Sequence, residues 1–196
     1  MAFDTYMMFQ LPDGTWLEGE SQSKIDKSSE TDIGKDLATG SIFEIDDFNF
    51  DIEQVLNIGS QSSGAGAGKV TFNPFNITRK TDRISAQLFQ MCCAGQHFRM
   101  VSLFLRRAGG AAAGSGVMMS SGTTFLRYDF SLVAVKTISW SGSDGDEACK
   151  EEVAFEYGAL RVRYVQQGAD GKAMATKIGT WNRVYNNSNF EVIKAT

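Results

Sequence analysis

A long run of alternating apolar and polar residues limits what this chain can fold into. Successive side chains of a β-strand point to opposite faces of the sheet, so apolar residues at every second position predict a strand with one buried face. The run spans Tyr128–Trp140, and only Lys136 breaks it. Its apolar positions are Tyr128, Phe130, Leu132, Ala134, Ile138 and Trp140. Asp129 falls on the opposite face, where a solvated charge is expected.

Further strands are predicted on both sides of this run. The apolar positions within Val153–Val165 change phase near Gly158, which predicts a β-bulge there, and Pro74 predicts an edge or a bulge in residues 70–77. The other candidate strands are Phe3–Phe9, Trp16–Glu20, Ile42–Val55, Phe98–Arg106 and Met174–Val184. About eight or nine turn-separated strands predict a mostly β fold, either a closed or partly open β-barrel or a two-sheet sandwich.

One principal α-helix is predicted at about residues 82–93, packed on the side of the barrel. Thr81 or Asp82 can accept hydrogen bonds from the first free N–H groups, and Gly95 can end the helix with a positive φ. The apolar positions at helical spacing are Ile84, Leu88, Met91 and Cys92.

The chain is expected to form a single domain over residues 1–184, followed by a C-terminal tail, 185–196. Nine acidic residues against two lysines in residues 26–53 predict a solvated acidic arm over residues 26–68. Its strand face would carry Ile42, Phe48, Phe50 and Ile52. Residues 109–122 are rich in glycine, alanine and serine, which is typical of a loop.

Charge and hydropathy exclude several classes of partner. A net charge of −4 and a pI near 5.1 argue against nucleic acid, which needs a basic surface. No run reaches the roughly eighteen apolar residues of a membrane span, so no membrane insertion is expected. The N-terminus has no basic region ahead of an apolar one, so any secretion would proceed without a signal peptide.

The sequence offers little for catalysis, metals or cofactors, and we expect none. Cys92, Cys93 and Cys149 lack the spacing of a disulfide framework or a metal site, which suits a reducing compartment. His97 is the only histidine, and no nucleophile elbow accompanies it. A hydrolase that uses Asp46 and Glu53 is the remaining enzymatic alternative.

The segment Gly66–Val70 ends in Gly-Lys and imitates a phosphate-binding loop. That loop needs a glycine where this chain has Ser63 and a hydroxyl residue where it has Val70. A strand rather than a helix is predicted after the lysine, so no helix N-terminus would point at a phosphate. Nucleotide binding is therefore not expected.

Several short motifs, in order, resemble those of the haemolysin-coregulated protein (Hcp) family, the tube-forming and secreted component of bacterial type VI secretion. Each motif is weak alone, but their order is specific. Residues 21–65, residues 107–122 and the tail depart from the family pattern. The matching segments are Met1–Asp4, Gly19–Ser21, Gly66–Val70, Lys80–Arg83, Cys92–His97, Arg106–Gly110 and the long strand from Tyr128 to the loop ending at Gly145.

The resemblance implies that six copies close into a ring and that rings stack into a hollow tube. The implied partners are other copies of the chain, a spike protein at the tip, a contractile sheath and small effector proteins carried in the lumen. Contraction of the sheath would secrete the tube from the bacterial cytoplasm. A secreted β-sandwich module that binds carbohydrate or another ligand through Trp16, Trp140 and Trp181 is the alternative, although Trp140 is expected in the core.

Three sets of residues follow from the tube interpretation. A lumen-facing loop that contacts effectors would contain Ser141, Gly142, Ser143 and Asp144, although a simple hairpin turn explains the same residues. A ring-stacking arm would use Phe48, Phe50, Gly64, Gly66, Gly68 and Lys69. A ring interface would place Arg99, Arg106, Arg161 and Arg163 against the acidic arm of the next subunit.

Overall fold

The computed structural model of the chain describes residues 3–28, 30–57, 66–107, 122–168 and 173–192. These residues form ten strands and one α-helix, which confirms the mostly β prediction. The first six strands are β1 (Phe3–Gln10), β2 (Phe43–Glu44), β3 (Asp47–Asn49), β4 (Ile52–Asn57), β5 (Gly66–Phe72) and β6 (Phe75–Lys80). They are followed by helix α1 (Ile84–Ala94), β7 (His97–Arg107), β8 (Thr124–Ser141), β9 (Lys150–Tyr164) and β10 (Lys177–Asn182).

Eight strands form one antiparallel sheet that curls into a half-barrel, in the order β2-β1-β7-β8-β9-β6-β3. Strand β10 also pairs with β9, because β9 is long enough for two neighbours on one edge. The first half of β9, Lys150–Phe155, pairs with β6, and the second half of β9, Ala159–Tyr164, pairs with β10. Strands β4 and β5 pair only with each other and make a separate two-stranded sheet.

The two faces of the large sheet carry different clusters. We call the face that bears the main hydrophobic core the core face, and the other the outer face. On the core face, the Phe75 ring stacks on that of Phe130 with centroids 4.4 Å apart, and helix α1 covers part of the same cluster. On the outer face, a smaller cluster contains Tyr6, Met8, Leu37, Ile42 and Phe104.

The phase change predicted at Gly158 is present, but it involves no extra residue in β9. Tyr157 and Leu160 both face the core, and so do their partners Val133 and Phe130. Strands β8 and β9 thus change phase together, and Leu132 takes a φ of 51° at this level. A register shift lies instead between Val135 and Thr137 of β8, so the predicted bulge in β9 is wrong in its position.

The expected alternation of β8 is consequently wrong beyond Phe130. Val133 and Val135 enter the core in place of Leu132 and Ala134, and the shift at Lys136 returns Ile138 to the core face. Trp140 was expected in the core, yet it is 46% exposed. Its Nε1 donates a hydrogen bond to Oε2 of buried Glu151 at 2.7 Å. The indole ring therefore lies at the end of the sheet where β8 finishes and β9 begins.

The acidic arm is not solvated as expected over residues 30–45. Glu30, Ile33, Leu37 and Ile42 are buried there, on the outer face of the sheet. The long strand predicted for Ile42–Val55 divides into β2, β3 and β4, and residues 17–20 form no strand.

Both ends of α1 follow the sequence signals closely. Asp82 Oδ1 accepts a hydrogen bond from the Ile84 N–H at 2.9 Å, and Gly95 ends the helix with a φ of 62°. Glu20 Oε1 accepts from the Arg83 N–H at 3.1 Å, so the Gly-Glu-Ser motif of the N-terminal region helps to fix the helix start.

Candidate assembly surfaces

The buried charges of the outer face are organised around two carboxylates. Glu30 pairs with Arg106, its Oε1 accepting from Arg106 Nε at 2.7 Å, and its Oε2 accepts from the Thr124 N–H at 3.1 Å. Arg106 is 2% exposed, so within one subunit its side chain is directed at Glu30 rather than at solvent. This pair ties residues 30–37 to strands β7 and β8.

The second carboxylate, Asp129, is shared by three guanidinium groups. Its Oδ1 lies 2.7 Å from Arg127 Nε, and its Oδ2 lies 3.1 Å from Arg161 Nε and 2.7 Å from Arg163 Nη2. Ser102 Oγ also donates to Oδ1 at 2.7 Å. Asp129 is fully buried, so the expectation of a solvated charge at this position is wrong.

The pKa values in this cluster reflect opposing effects. Burial acts to raise the pKa of Asp129, but Arg127, Arg163, Arg161 and the Ser102 hydroxyl together lower it below its ordinary value. Burial lowers the pKa of Arg163, and the like charges of Arg127 and Arg161 lower it further, against the opposing attraction of Asp129.

The structure brings two of the four predicted interface arginines together. Arg161 and Arg163 meet at Asp129, Arg106 lies in the separate pair with Glu30, and Arg99 is exposed on β7. Sequence reasoning missed Glu30 and Asp129. A signal was available for Asp129, because Arg127 and Asp129 on β8 and Arg161 and Arg163 on β9 show the two-residue spacing of one strand face.

The residues predicted for the stacking arm separate into two groups. Phe48 and Phe50 pack against the core, and the Phe50 ring lies 5.1 Å from that of Tyr128 between centroids. Gly66, Gly68 and Lys69 belong to strand β5 of the β4–β5 hairpin. Gly64 lies outside the described residues.

The apolar surface around β10 covers both faces of the strand, because Ile178 pairs with Arg163 on the outer face and Trp181 pairs with Leu160 on the core face. Of the ten large hydrophobic side chains exposed in the described part of the chain, six lie on β10, beside it or opposite it on β9. These are Tyr164, Met174, Ile178, Trp181, Val184 and Tyr185. A groove of about 360 Å³ runs between β10, β9 and the β4–β5 hairpin, lined mainly by Ile52, Val70, Phe72, Leu160, Val162 and Trp181.

The opposite end of the sheet, at β1 and β2, is acidic. A depression of about 510 Å³ there is lined by residues that include Asp4, Glu44 and Asp46. The hydroxyls of Ser21 and Ser23 donate to Glu44 Oε1 at 2.6 and 3.2 Å, which holds this carboxylate in place. Within the described ranges, none of these three carboxylates forms an ion pair.

The predicted lumen loop is an exposed turn between β8 and β9. Ser141 ends β8, and the Ser143 N–H donates to Asp146 Oδ2 at 2.8 Å. Asp144 precedes Gly145, whose φ of 99° suits the tight turn. Ser141, Gly142 and Ser143 line a depression of about 540 Å³ with Trp140 and the 146–149 segment.

The described ranges contain no group of three histidine, cysteine or carboxylate side chains able to hold a metal ion. They also contain no helix with the length and apolar character of a membrane span. The aromatic platform of a carbohydrate-binding module is not assembled either. Trp140 lies opposite Glu151 and Trp181 opposite Leu160, so their backbone positions are about 30 Å apart along β9.

Two solved structures with this fold match nearly the whole chain. A structure described as a type six secretion system protein matches 95% of this chain and 99% of its own length, with a TM-score of 0.73 and 23% identity. Hcp1 from Salmonella typhimurium matches 96% of this chain and 100% of its own length, with a TM-score of 0.62 and 24% identity. At these identities the matches establish the fold.

Sequence comparisons establish the family. Protein hcp1 of Pseudomonas aeruginosa is 30% identical over 103 residues, which is 53% of this chain and 58% of that protein. The match therefore spans little more than half the length of the curated relative. The model of the family described as "Type VI secretion system effector, Hcp" matches residues 20–164. Because that match covers well over half of the chain, the protein belongs to the Hcp family of type VI secretion tube proteins.

Proposed function

We propose that this protein is a structural subunit, rather than an enzyme, of a type VI secretion tube. Subunits join head to tail into six-membered rings, and the rings stack into a hollow tube inside a contractile sheath with a spike protein at its tip. Contraction carries the tube out of the bacterial cytoplasm with small effector proteins held in its lumen. Family membership and the half-barrel fold support this proposal.

The apolar surface around β10 is the observation that carries ring assembly. Monomeric proteins rarely expose a large apolar patch, and such patches mark interaction sites. Among the described strands β10 pairs with β9 alone, so its other edge offers free backbone N–H and C=O groups. The opposite end of the sheet is acidic, and a head-to-tail ring requires two unlike faces that fit each other.

Stacking is assigned to the β4–β5 hairpin, which stands outside the large sheet. Gly66, Gly68 and Lys69 on β5 belong to this hairpin. Phe48 and Phe50 precede the hairpin in the chain and pack against the core. Contacts of about 1,000–2,000 Å² within a ring and smaller ones between rings would let rings separate after delivery. Gly64 belongs to the same proposal.

Effector contact is assigned to the loop of Ser141, Gly142, Ser143 and Asp144. These residues are exposed, and their short side chains leave room beside the depression that Trp140 helps to line. Their polar groups can hydrogen-bond a cargo protein, while residues 146–149 complete the wall.

Native mass spectrometry of the purified protein tests ring assembly directly. We expect a species of six times the 21.5-kDa chain mass, and negative-stain images should show rings with an open centre. A protein that stays monomeric at micromolar concentration would overturn the proposal.

A further inference from the structure

One row of paired residues crosses the outer face of the sheet from an acidic end to a basic end. It begins with Glu44 of β2, which pairs with Tyr6 of β1. The row continues through Phe104 and Arg127 in the sheet interior. It ends with Arg163 of β9 and Ile178 of β10. These side chains therefore share one face, as do their second neighbours along each strand.

The basic end holds more positive charge than it neutralises. Arg127, Arg161 and Arg163 surround Asp129, and among the described residues the only other carboxylate paired with them is Asp36, which contacts Arg127. Three guanidinium groups thus share two carboxylates, so one positive charge has no described counter-ion. Arg163 Nε is buried without a hydrogen-bond partner among the described atoms, a state that costs free energy in an isolated subunit.

The acidic end has the opposite imbalance, because its negative charges have no described counter-ion. Asp4 lies two residues before Tyr6 on β1, so it shares the outer face with Glu44. Both carboxylates are exposed, and neither forms an ion pair with a described residue. The hydroxyls of Ser21 and Ser23 hold Glu44 in one position, which reduces the conformational entropy lost on binding a cation.

Apolar groups accompany the charges at both ends. Phe3, on the opposite face of β1 from Asp4, is exposed and lines the same depression as Asp4 and Glu44. At the basic end, Ile178, which ends the row next to Arg163, is 64% exposed. One surface combines an apolar residue with negative charges, and the other combines an apolar residue with positive charges. The two surfaces are therefore complementary, and a contact would remove water from both.

We propose that Arg161 and Arg163 of one subunit face Asp4 and Glu44 of the next subunit across the ring contact. This inference rests on the ring assembly proposed above and names the two surfaces that meet. The partner is a second copy of this chain, because the acidic and basic surfaces occur on the same face of the same sheet, at opposite ends. Each ring contact would then join one acidic and one basic end.

Charge reversal at the acidic end tests the inference without touching the buried cluster. The variant Asp4→Arg/Glu44→Arg changes two exposed side chains and removes no core contact, so circular dichroism should show an unchanged subunit fold. The matched control Asp144→Arg/Glu147→Arg reverses two exposed carboxylates in the β8–β9 loop. Native mass spectrometry over a dilution series gives the concentration at which half of the subunits are in rings.

We expect that concentration to rise by about tenfold or more for the acidic-end variant and to stay unchanged for the control. Ring formation by the wild type should weaken with added NaCl, and the neutral variant Asp4→Asn/Glu44→Gln should lose most of this dependence. Wild-type rings that tolerate the reversal unchanged would overturn this pairing and leave ring assembly intact. Absence of wild-type rings would overturn both.

Discussion

Glu30 and Arg106 form an ion pair whose two side chains are almost completely withdrawn from water, 0% and 3% exposed. The pair joins an irregular segment to the C-terminal end of strand β7, across 76 residues of sequence. Because Thr31 Oγ1 also donates to the Thr124 carbonyl at 2.7 Å, the segment is fixed to both β7 and β8. Residues 30–37 of the acidic region therefore pack over the outer face of the sheet.

The variant Glu30→Gln should destabilise the fold by about 3–5 kcal/mol, because Arg106 would remain buried without a counter-ion. Urea unfolding of both proteins at one concentration measures the difference. Glu53→Gln on β4 is the matched control, since this carboxylate is exposed and should change stability by less than about 0.5 kcal/mol. Equal urea midpoints for Glu30→Gln and the wild type would show that the ion pair contributes nothing to the stability of the fold.

Asp129 should make the stability of the fold depend on pH in acid. The pKa of Asp129 is lowered in the folded state, so its contribution is fully present above the unfolded pKa of about 3.9. The contribution is lost as the pH falls through the folded-state value, because the folded protein then binds the proton that the unfolded chain already holds.

The Asp129→Asn variant tests this sign. It should be less stable than the wild type at pH 7, and the difference should shrink only below about pH 4. Urea unfolding at a series of pH values measures both quantities. Asp144→Asn is a control at an exposed carboxylate, and a constant difference for Asp129→Asn across the whole range would contradict the prediction.

The sequence predicts the long strands and the helix well because their signals are local. Alternation locates the strands β1, β7, β8 and β9, and the end signals of α1 appear in its hydrogen bonds. The errors fall where two strands adjust together. Leu132 changes the phase of β8 only because Gly158 on β9 does the same, and no window of one strand contains that information.

The buried charges could not be predicted for a related reason. Glu30 and Arg106 each look like an ordinary surface residue, and their burial depends on residues 30–37 folding back onto the sheet. Trp140 shows the opposite error, since an apolar side chain at the end of an alternating strand lies beyond the core that the strand supports. Local periodicity gives the face of a strand but not how much of that face is covered.

Gly19 should not tolerate any side chain. A Cβ atom there would lie 2.1 Å from the Ile42 carbonyl oxygen, which is backbone and cannot move aside cheaply. We expect Gly19→Ala to destabilise the fold by about 2–4 kcal/mol in urea unfolding. Gly179→Ala is the matched control, because a Cβ at that position meets open space, and the two variants should differ clearly.

Ile178 should matter for rings and not for the subunit fold. Its side chain is 64% exposed, so Ile178→Asp removes no core contact but places a charge within the apolar surface around β10. We expect native mass spectrometry to show fewer rings and circular dichroism to show an unchanged fold. Phe89→Asp is the control, because Phe89 is also exposed but lies on α1. Rings that persist in Ile178→Asp would exclude β10 from the contact.

A bulky residue at position 143 should reduce effector retention without affecting rings. Ser143 is exposed, and the turn uses only its backbone: its N–H donates to Asp146 Oδ2, and its carbonyl accepts from the Asp146 N–H. The Ser143→Trp variant can keep both bonds. The indole would fill space beside the loop that a cargo protein otherwise occupies, so less effector should co-purify with variant rings, quantified by mass spectrometry of the isolated rings. Thr39→Trp, at another exposed loop position, controls for the indole itself and should retain effector normally. Undiminished cargo in Ser143→Trp rings would remove this loop from the lumen.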